Sequence, residues 1–354
     1  FQPSLTDAIM PFINDVLDAN QQHDTERRPA TQSRFLFDPD QVMARLSSRI
    51  IGQSEALDEI SNSLKVVKAE LGDPHRPLAT FLLLGPTGVG KTETVRLLAE
   101  ALHGSSDAFC RIDMNTLAQE HYAASLTGAP PGYVGSKEGT TLFDRQAIEG
   151  DYGRPGIVLF DELEKANDQV IRALMNVLDN GQLRLSAGNT TLNFRNSLIF
   201  MTSNLGAGQQ SSGARWLPAH WRAIQQKRRQ EAALSARLDP EFINRIDHRI
   251  HYQSLPGDQL EQLVDLALEK LNQRLGRHKV QLVLDQAARQ WLARQGHDPR
   301  YGARAMARAF RRHLEPAVAH YLLNPDECPT GSQLRASLGK GNTTLRISPI
   351  APDH

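Results

Sequence analysis

The sequence predicts an α/β protein: a parallel sheet flanked by helices, followed by a smaller, mostly helical lobe with a few strands. Three observations carry this. The compact apolar runs Thr80–Leu84, Cys110–Ile112, Ile157–Phe160 and Ser197–Thr202 alternate with helix-spaced segments, and each gives way to turn residues or a polar stretch. Unbroken apolar runs of this length are what strands covered on both faces look like, and parallel sheets with crossover helices cover both faces. A glycine-rich stretch, Gly85 to Thr92, sits directly between the first run and the helical run Val95–Leu102. From Pro256 onward the texture changes to helical faces: Leu260, Leu263, Val264, Ala267 and Leu271; Ala287, Trp291 and Leu292; and Ala305, Met306, Ala309, Phe310 and Leu314.

The elements follow in chain order. Leu5, Ile9, Phe12, Ile13, Val16 and Leu17 recur at helical spacing, with Pro11 tolerable only near a helix start. They read as a packing helix or, more sharply, as a docking helix through which an adaptor binds. The polar stretch to Arg34 reads as a linker. This makes residues 1–34 an N-terminal helix and linker, 35–251 the sheet domain and 252–354 the helical lobe. Within the sheet domain, Asp179–Asn189 reads as a hairpin or loop between two of the strands. In the lobe, Val280–Leu284 and Thr344–Ser348 read as strands.

Composition bounds the function. The chain has 354 residues, 40 basic against 40 acidic, and a pI near 7.4. A protein living on duplex nucleic acid usually carries a basic excess, so zero net charge disfavours that class. No apolar run approaches the ~18 residues that span a bilayer, so no membrane role is expected. Cys110 and Cys328 are far apart and lack metal or disulfide spacing, which fits a reducing, cytoplasmic setting. Phe1–Asn20 lacks the pattern of a secretion signal, and the absence of an initiator Met suggests a piece of a longer chain.

Gly85-Pro86-Thr87-Gly88-Val89-Gly90-Lys91-Thr92 is a phosphate-binding loop in the strand–loop–helix context that the motif requires. Glycines let the backbone turn N–H groups around phosphate oxygens, and the helix N-terminus adds partial positive charge. Lys91 is expected on the terminal phosphates of ATP and the Thr92 hydroxyl on Mg2+. In Ile157-Val-Leu-Phe-Asp161-Glu162 a buried strand ends in two acids. Asp161 is expected to support the Mg2+ shell, and Glu162 to polarise an attacking water.

Seven further segments occur in order around and beyond that loop: Ile51-Gly-Gln53, Gly128-Ala-Pro-Pro-Gly-Tyr133-Val134-Gly135, Asp161-Glu-Leu-Glu-Lys-Ala166, Phe194-Arg-Asn196, Thr202-Ser-Asn204-Leu-Gly206, Phe242-Ile-Asn-Arg245-Ile-Asp247 and Asp298-Pro-Arg-Tyr-Gly-Ala-Arg304. Together they resemble the Clp family of AAA+ protein unfoldases, most closely the second ATPase cassette of the ClpB and ClpA type. The resemblance runs from about Phe35 into the C-terminal region. It implies an AAA+ phosphate-loop domain with its small lobe, and a hexameric ring that threads polypeptide through its pore using Mg-ATP. By that resemblance Ile50 and Ile51 pack on adenine, Asn204 orients the attacking water, Arg245 is an arginine finger serving the neighbouring subunit, and Arg304 is a second sensor brought by the lobe. Tyr133 and Val134, between glycines, would line the pore and grip substrate. The loop after Asp179 would be a second pore loop.

There are departures. After the pore loop the chain reads Ser136-Lys-Glu138, where the family has an aromatic and acids, and Gly150-Asp-Tyr-Gly153 makes an extra turn. No Ile/Leu-Gly-Phe/Leu tripeptide of the protease-docking kind lies in 207–239, which instead holds Trp216, Trp221 and the basic run Lys227-Arg-Arg229. The single phosphate loop implies a single-ring member or a fragment. The rival readings are the ATPase subunit of a Clp-type protease, a nucleic-acid-acting AAA+ protein and a nucleotide-gated scaffold.

Overall fold

The computed structural model describes residues 33–118, 142–185, 190–207, 219–255, 259–298, 301–324, 333–339 and 344–350. The segment Leu5–Leu17, the Tyr133 loop with Val134, Trp216 and Cys328 all lie outside these residues.

The sheet has five strands: β1 (Ala79–Leu84), β2 (Cys110–Asp113), β3 (Gly156–Asp161), β6 (Ser197–Ser203) and β7 (His248–His251). Their order is β2-β3-β6-β1-β7 and every pairing is parallel. Alternation along each central strand feeds two cores. Leu82, Leu84, Val158, Phe160, Ile199 and Met201 enter one; Phe81, Leu83, Ile157, Leu159, Leu198 and Phe200 enter the other. That is why these stretches read as continuously apolar. Burying one such side chain contributes about 1.5–3 kcal/mol, so these layers outweigh the surface ion pairs in fixing the sheet. Phe81 and Phe200 stack across the β1–β6 pair with centroids 4.7 Å apart.

Four of the five strands match the predicted runs to within a residue or so at their ends. The fifth, β7, was not predicted. It reads His-Arg-Ile-His, and only Ile250 is buried, because it is an edge strand. β4 (Gln182–Leu185) and β5 (Thr190–Asn193) pair antiparallel, as the hairpin reading expects; the tip lies outside the described residues.

Five helices shape the site. α1 is Pro39–Arg49 and α2 is Ser54–Lys68. α3, Lys91–His103, follows the phosphate loop and ends at Gly104 in the left-handed conformation. α4, Asp168–Asn180, begins at an Asn167 cap. α5, Ala219–Arg237, carries the basic run and places Trp221 largely in solvent. A short helical turn, Pro240–Ile243, then leads to Arg245.

The lobe has a separate core running from Leu255 to Leu345. α6 (Leu260–Leu275) buries Leu260, Leu263, Val264 and Leu271 as its spacing predicts. α7 (Gln286–Gln295) buries Ala288, Trp291 and Leu292, whereas Ala287 is exposed, which corrects that face by one residue. α8 (Gly302–Ala309) runs into a π-helical turn, Phe310–Leu314, and then α9 (Glu315–Leu322). Pro316 accounts for the wide turn: it cannot donate to the carbonyl four residues back, and its ring crowds that carbonyl. A three-stranded sheet, β8 (Gln281–Leu284), β9 (Gln333–Leu338) and β10 (Leu345–Pro349), closes the lobe. Among the described residues no helix is long and apolar enough to cross a membrane.

Candidate active site

In an open parallel sheet, ligand-binding groups gather at the carboxyl ends of the strands. Here β1 delivers the phosphate loop, β3 delivers Asp161 and Glu162, and β6 delivers Asn204. A cavity of about 470 Å³ opens at this edge, within the usual size for a small-molecule site. Ile50, Ile51, Thr87, Gly88, Val89, Gly90, Lys91, Thr92, Asp161, Glu162, Asn204 and Arg304 all line it. Gly85 and Pro86 lie behind it, and their carbonyls hold Lys91.

Lys91 is buried, and its ammonium uses all three donors: to Gly85 O at 2.6 Å, to Pro86 O at 2.8 Å and to Asn204 Oδ1 at 2.8 Å. Burial pushes its pKa down to about 8, against the pull of the Glu164 and Asp161 charges. Asp161 accepts from the Thr202 hydroxyl at 2.5 Å and from the Arg111 guanidinium at 2.6 Å. Thr202 also accepts the Glu162 N–H at 3.0 Å. Glu162 needs that support. It sits at φ 58°, ψ 53°, in the left-handed region that costs a non-glycine residue about 1–3 kcal/mol. The conformation turns its carboxylate into the cavity, where the Asn115 amide donates to Oε2 at 2.6 Å. Glu164 accepts the Asn204 N–H at 3.2 Å, and its other oxygen is buried without a hydrogen-bond partner.

Arg111, Asn115, Thr202 and Glu164 were not singled out from the sequence. Thr202 and Glu164 were inside quoted motifs. The signal for Arg111 was the in-out alternation of Cys110-Arg-Ile-Asp113, whose register sets Asp113 opposite Asp161.

The lobe closes one wall. Ile50, Ile51, Leu255, Leu263, Ala303 and Ala307 make an apolar end of the cavity, suited to a flat heterocycle. Gln53 ties this end to the connection between the sheet and the lobe: its amide donates to Gln253 O and accepts Gln253 N–H, both at 2.9 Å. Gly88 meets the start of α8 backbone to backbone. Its carbonyl accepts the Ala303 N–H at 2.9 Å, and a Cβ on it would lie 2.1 Å from Tyr301 O. Gly302 returns the contact: a Cβ there would lie 2.6 Å from Gly88 O. Arg304, two residues on, is exposed at the cavity.

Arg245 is not in this cavity. Its guanidinium donates to Asp179 at 2.6 Å, and to the Glu241 carboxylate at 2.9 Å and the Glu241 carbonyl at 2.8 Å; both carboxylates raise its pKa. Arg76 braces the same place, donating to Leu178 O and Arg245 O.

The donor set suits a nucleotide with a hard cation. Thr92 and Asp161 offer oxygen ligands beside the phosphate loop, and Mg2+ characteristically takes one or two protein oxygens and completes its shell with phosphate and water. Among the described residues no group of three or more His, Cys, Asp or Glu forms a metal site of its own.

Comparison with known proteins agrees with the fold. Residues 76–249 match the AAA domain (Cdc48 subfamily), and residues 255–336 match the C-terminal, D2-small domain of ClpB protein. The ATP-dependent protease ATP-binding subunit-like protein AmiB of Pseudomonas aeruginosa is 47% identical over 345 residues, covering 89% of this chain and 93% of that protein. The ATP-dependent protease ATP-binding subunit-like protein of Rhodococcus erythropolis is 44% identical, covering 92% and 95%. Chaperone protein ClpB 1 of Parasynechococcus marenigrum is 41% identical over 78% of this chain, which spans 31% of that longer protein.

Proposed function

The chain belongs to the Clp family of AAA+ ATPases, and from that premise we propose that it assembles into a hexameric ring that threads polypeptide through its pore to unfold, disaggregate or remodel it. The chain is an ATPase with a chaperone or protease-linked role. In the proposal, residues 35–251 form the ATPase domain, 252–354 the small lobe, and 1–34 a helix and linker open to an adaptor.

One observation carries the reading. Lys91, Thr92, Asp161, Glu162, Asn204 and Arg304 line a single cavity, while Arg245 stands outside it. Such a site is complete in itself except for a charge that a neighbour can supply. Lys91 would exchange its carbonyl partners for the terminal phosphates of ATP. Ile50 and Ile51 would pack on adenine, with Gly85 to Gly90 around the phosphate chain. Thr92 and Asp161 would hold Mg2+. Bound with ATP, the cation neutralises phosphate charge and polarises the transferring group. Glu162 would accept the proton of the attacking water and Asn204 would orient that water. Arg304 would report the nucleotide to the lobe, and Arg245 would serve the neighbouring subunit's nucleotide. Tyr133, flanked by Val134 and glycines, would grip the substrate, since an aromatic ring offers large apolar area at small entropy cost.

The test is ATPase rate with and without an unfolded protein, with single-stranded DNA as control. Tyr133→Ala is expected to keep basal ATPase and lose remodelling. Equal remodelling by that variant removes threading, and stimulation by DNA alone moves the chain to another class. A second reading, the ATPase partner of a protease, is favoured by the names of the two relatives that match along almost their whole length. Co-purification with a peptidase would support it.

A further inference from the structure

The turn after β3 is held from two sides. From the β6 side, Thr202 accepts the Glu162 N–H and Glu164 accepts the Asn204 N–H. From the opposite side, three hydrogen bonds come from one residue at the end of α5, Arg237. Its Nε donates to Glu164 O at 3.1 Å, one terminal nitrogen to Ala166 O at 2.6 Å, and the other to Asp168 at 3.2 Å. The Asp168 carboxylate is largely exposed, so that pair contributes little. The two backbone carbonyls matter more. They belong to the 3₁₀ turn Leu163–Lys165 and its exit, the segment that must not relax if Glu162 is to keep its left-handed backbone.

The helix presenting Arg237 is itself fixed. Leu234, together with Leu238 just beyond the helix end, is buried in the sheet core, and Gln230 abuts Gly206 just beyond Asn204. The chain then passes from Leu238 through Pro240–Ile243 to Arg245. One helix end therefore touches the turn bearing the proposed base and leads into the segment bearing the proposed finger.

We infer that Arg237 is a positioning residue for ATP cleavage: by clamping Glu164 O and Ala166 O it keeps Glu162 aimed into the cavity. The inference rests on the reading of Glu162 as the water-activating acid. Arg237 does not line the cavity, so its loss is expected to change turnover and spare binding.

The experiment uses the full chain. Arg237→Gln is expected to lower kcat for ATP about tenfold, with KM and the Kd of a fluorescent ATP analogue within twofold of wild type. Arg237→Lys, which still reaches a carbonyl with its ammonium, recovers part of the loss. Asp168→Asn stays within twofold. In single-turnover cleavage of labelled ATP, Arg237→Gln added to Glu162→Gln slows the reaction no further. Loss of nucleotide affinity at unchanged kcat would overturn the inference, as would an undiminished tenfold effect in the Glu162→Gln background. If Glu162→Gln alone turns over like wild type, it is the base assignment that fails, and this is read independently of Arg237.

Discussion

Arg304 and Arg245 both sit off the strands, one on the lobe and the other on the connection between β6 and β7, and they are placed in opposite ways. Arg304 is exposed at the cavity rim and its side chain makes no hydrogen bond or ion pair with the described residues. Arg245 lies away from the cavity with its guanidinium committed to Asp179 and Glu241. An uncommitted guanidinium can turn to a ligand without breaking anything. A committed one must trade partners, or carry them along. The lesson is that position at a cavity and readiness to act are separate properties: Arg304 lines the cavity with its charge uncommitted, whereas Arg245 is held away from it.

The largest effect tests the external half. Arg245→Ala is expected to slow steady-state hydrolysis by about 10³–10⁵-fold, as loss of an arginine finger does. Mixing Arg245→Ala with Lys91→Ala subunits should restore activity, because each supplies what the other lacks. A mixture as dead as its parts would break the comparison. Next is Glu162, the proposed base. Glu162→Gln should cut turnover about 10²–10⁴-fold, the usual contribution of a general base, while nucleotide stays bound in a filter assay. Arg304→Ala should weaken ATP affinity roughly 10–100-fold, the loss of a charge-assisted hydrogen bond, and mixing with Lys91→Ala should give no rescue. Rescue there would place Arg304 across the interface as well.

The smallest effect is one of pH. Burial lowers Lys91 to about 8, and only its charged form attracts phosphate. Affinity of the free protein for ATP should therefore hold below pH 8 and fall as pH rises above it. Lys91→Arg, which stays charged, should flatten the profile in a titration with a fluorescent nucleotide.

The central strands were legible because both of their faces are covered, leaving no polar alternation to confuse them with a surface strand. β7 was not, since His248, Arg249 and His251 stand at a sheet edge where polar side chains cost nothing. β9 was missed too, although Leu334, Ala336 and Leu338 alternate along it, for one of its partners, β8, lies some fifty residues earlier. The site divides in the same way. Lys91, Asp161, Glu162 and Asn204 lie in short contiguous motifs. Arg111 shows only as the alternation of β2, while Asn115 gains its role from the turn after that strand and Arg237 from where a helix happens to end, so neither of these two is visible as a pattern. Neither Pro316's wide turn nor the Asp179–Arg245 pair could be read before the packing was known.

The contact of Gly88 with Gly302 has a further consequence. Two surfaces that meet through main chain alone have a tolerance of one carbon atom. A methyl group at either position acts as a shim, wedging the lobe, and Arg304 with it, off the loop while leaving Lys91, Asp161 and Glu162 in place. The pair thus serves as a spacer gauge for the cleft: Gly302→Ala would keep the sheet-borne groups of the site while setting Arg304 back from them.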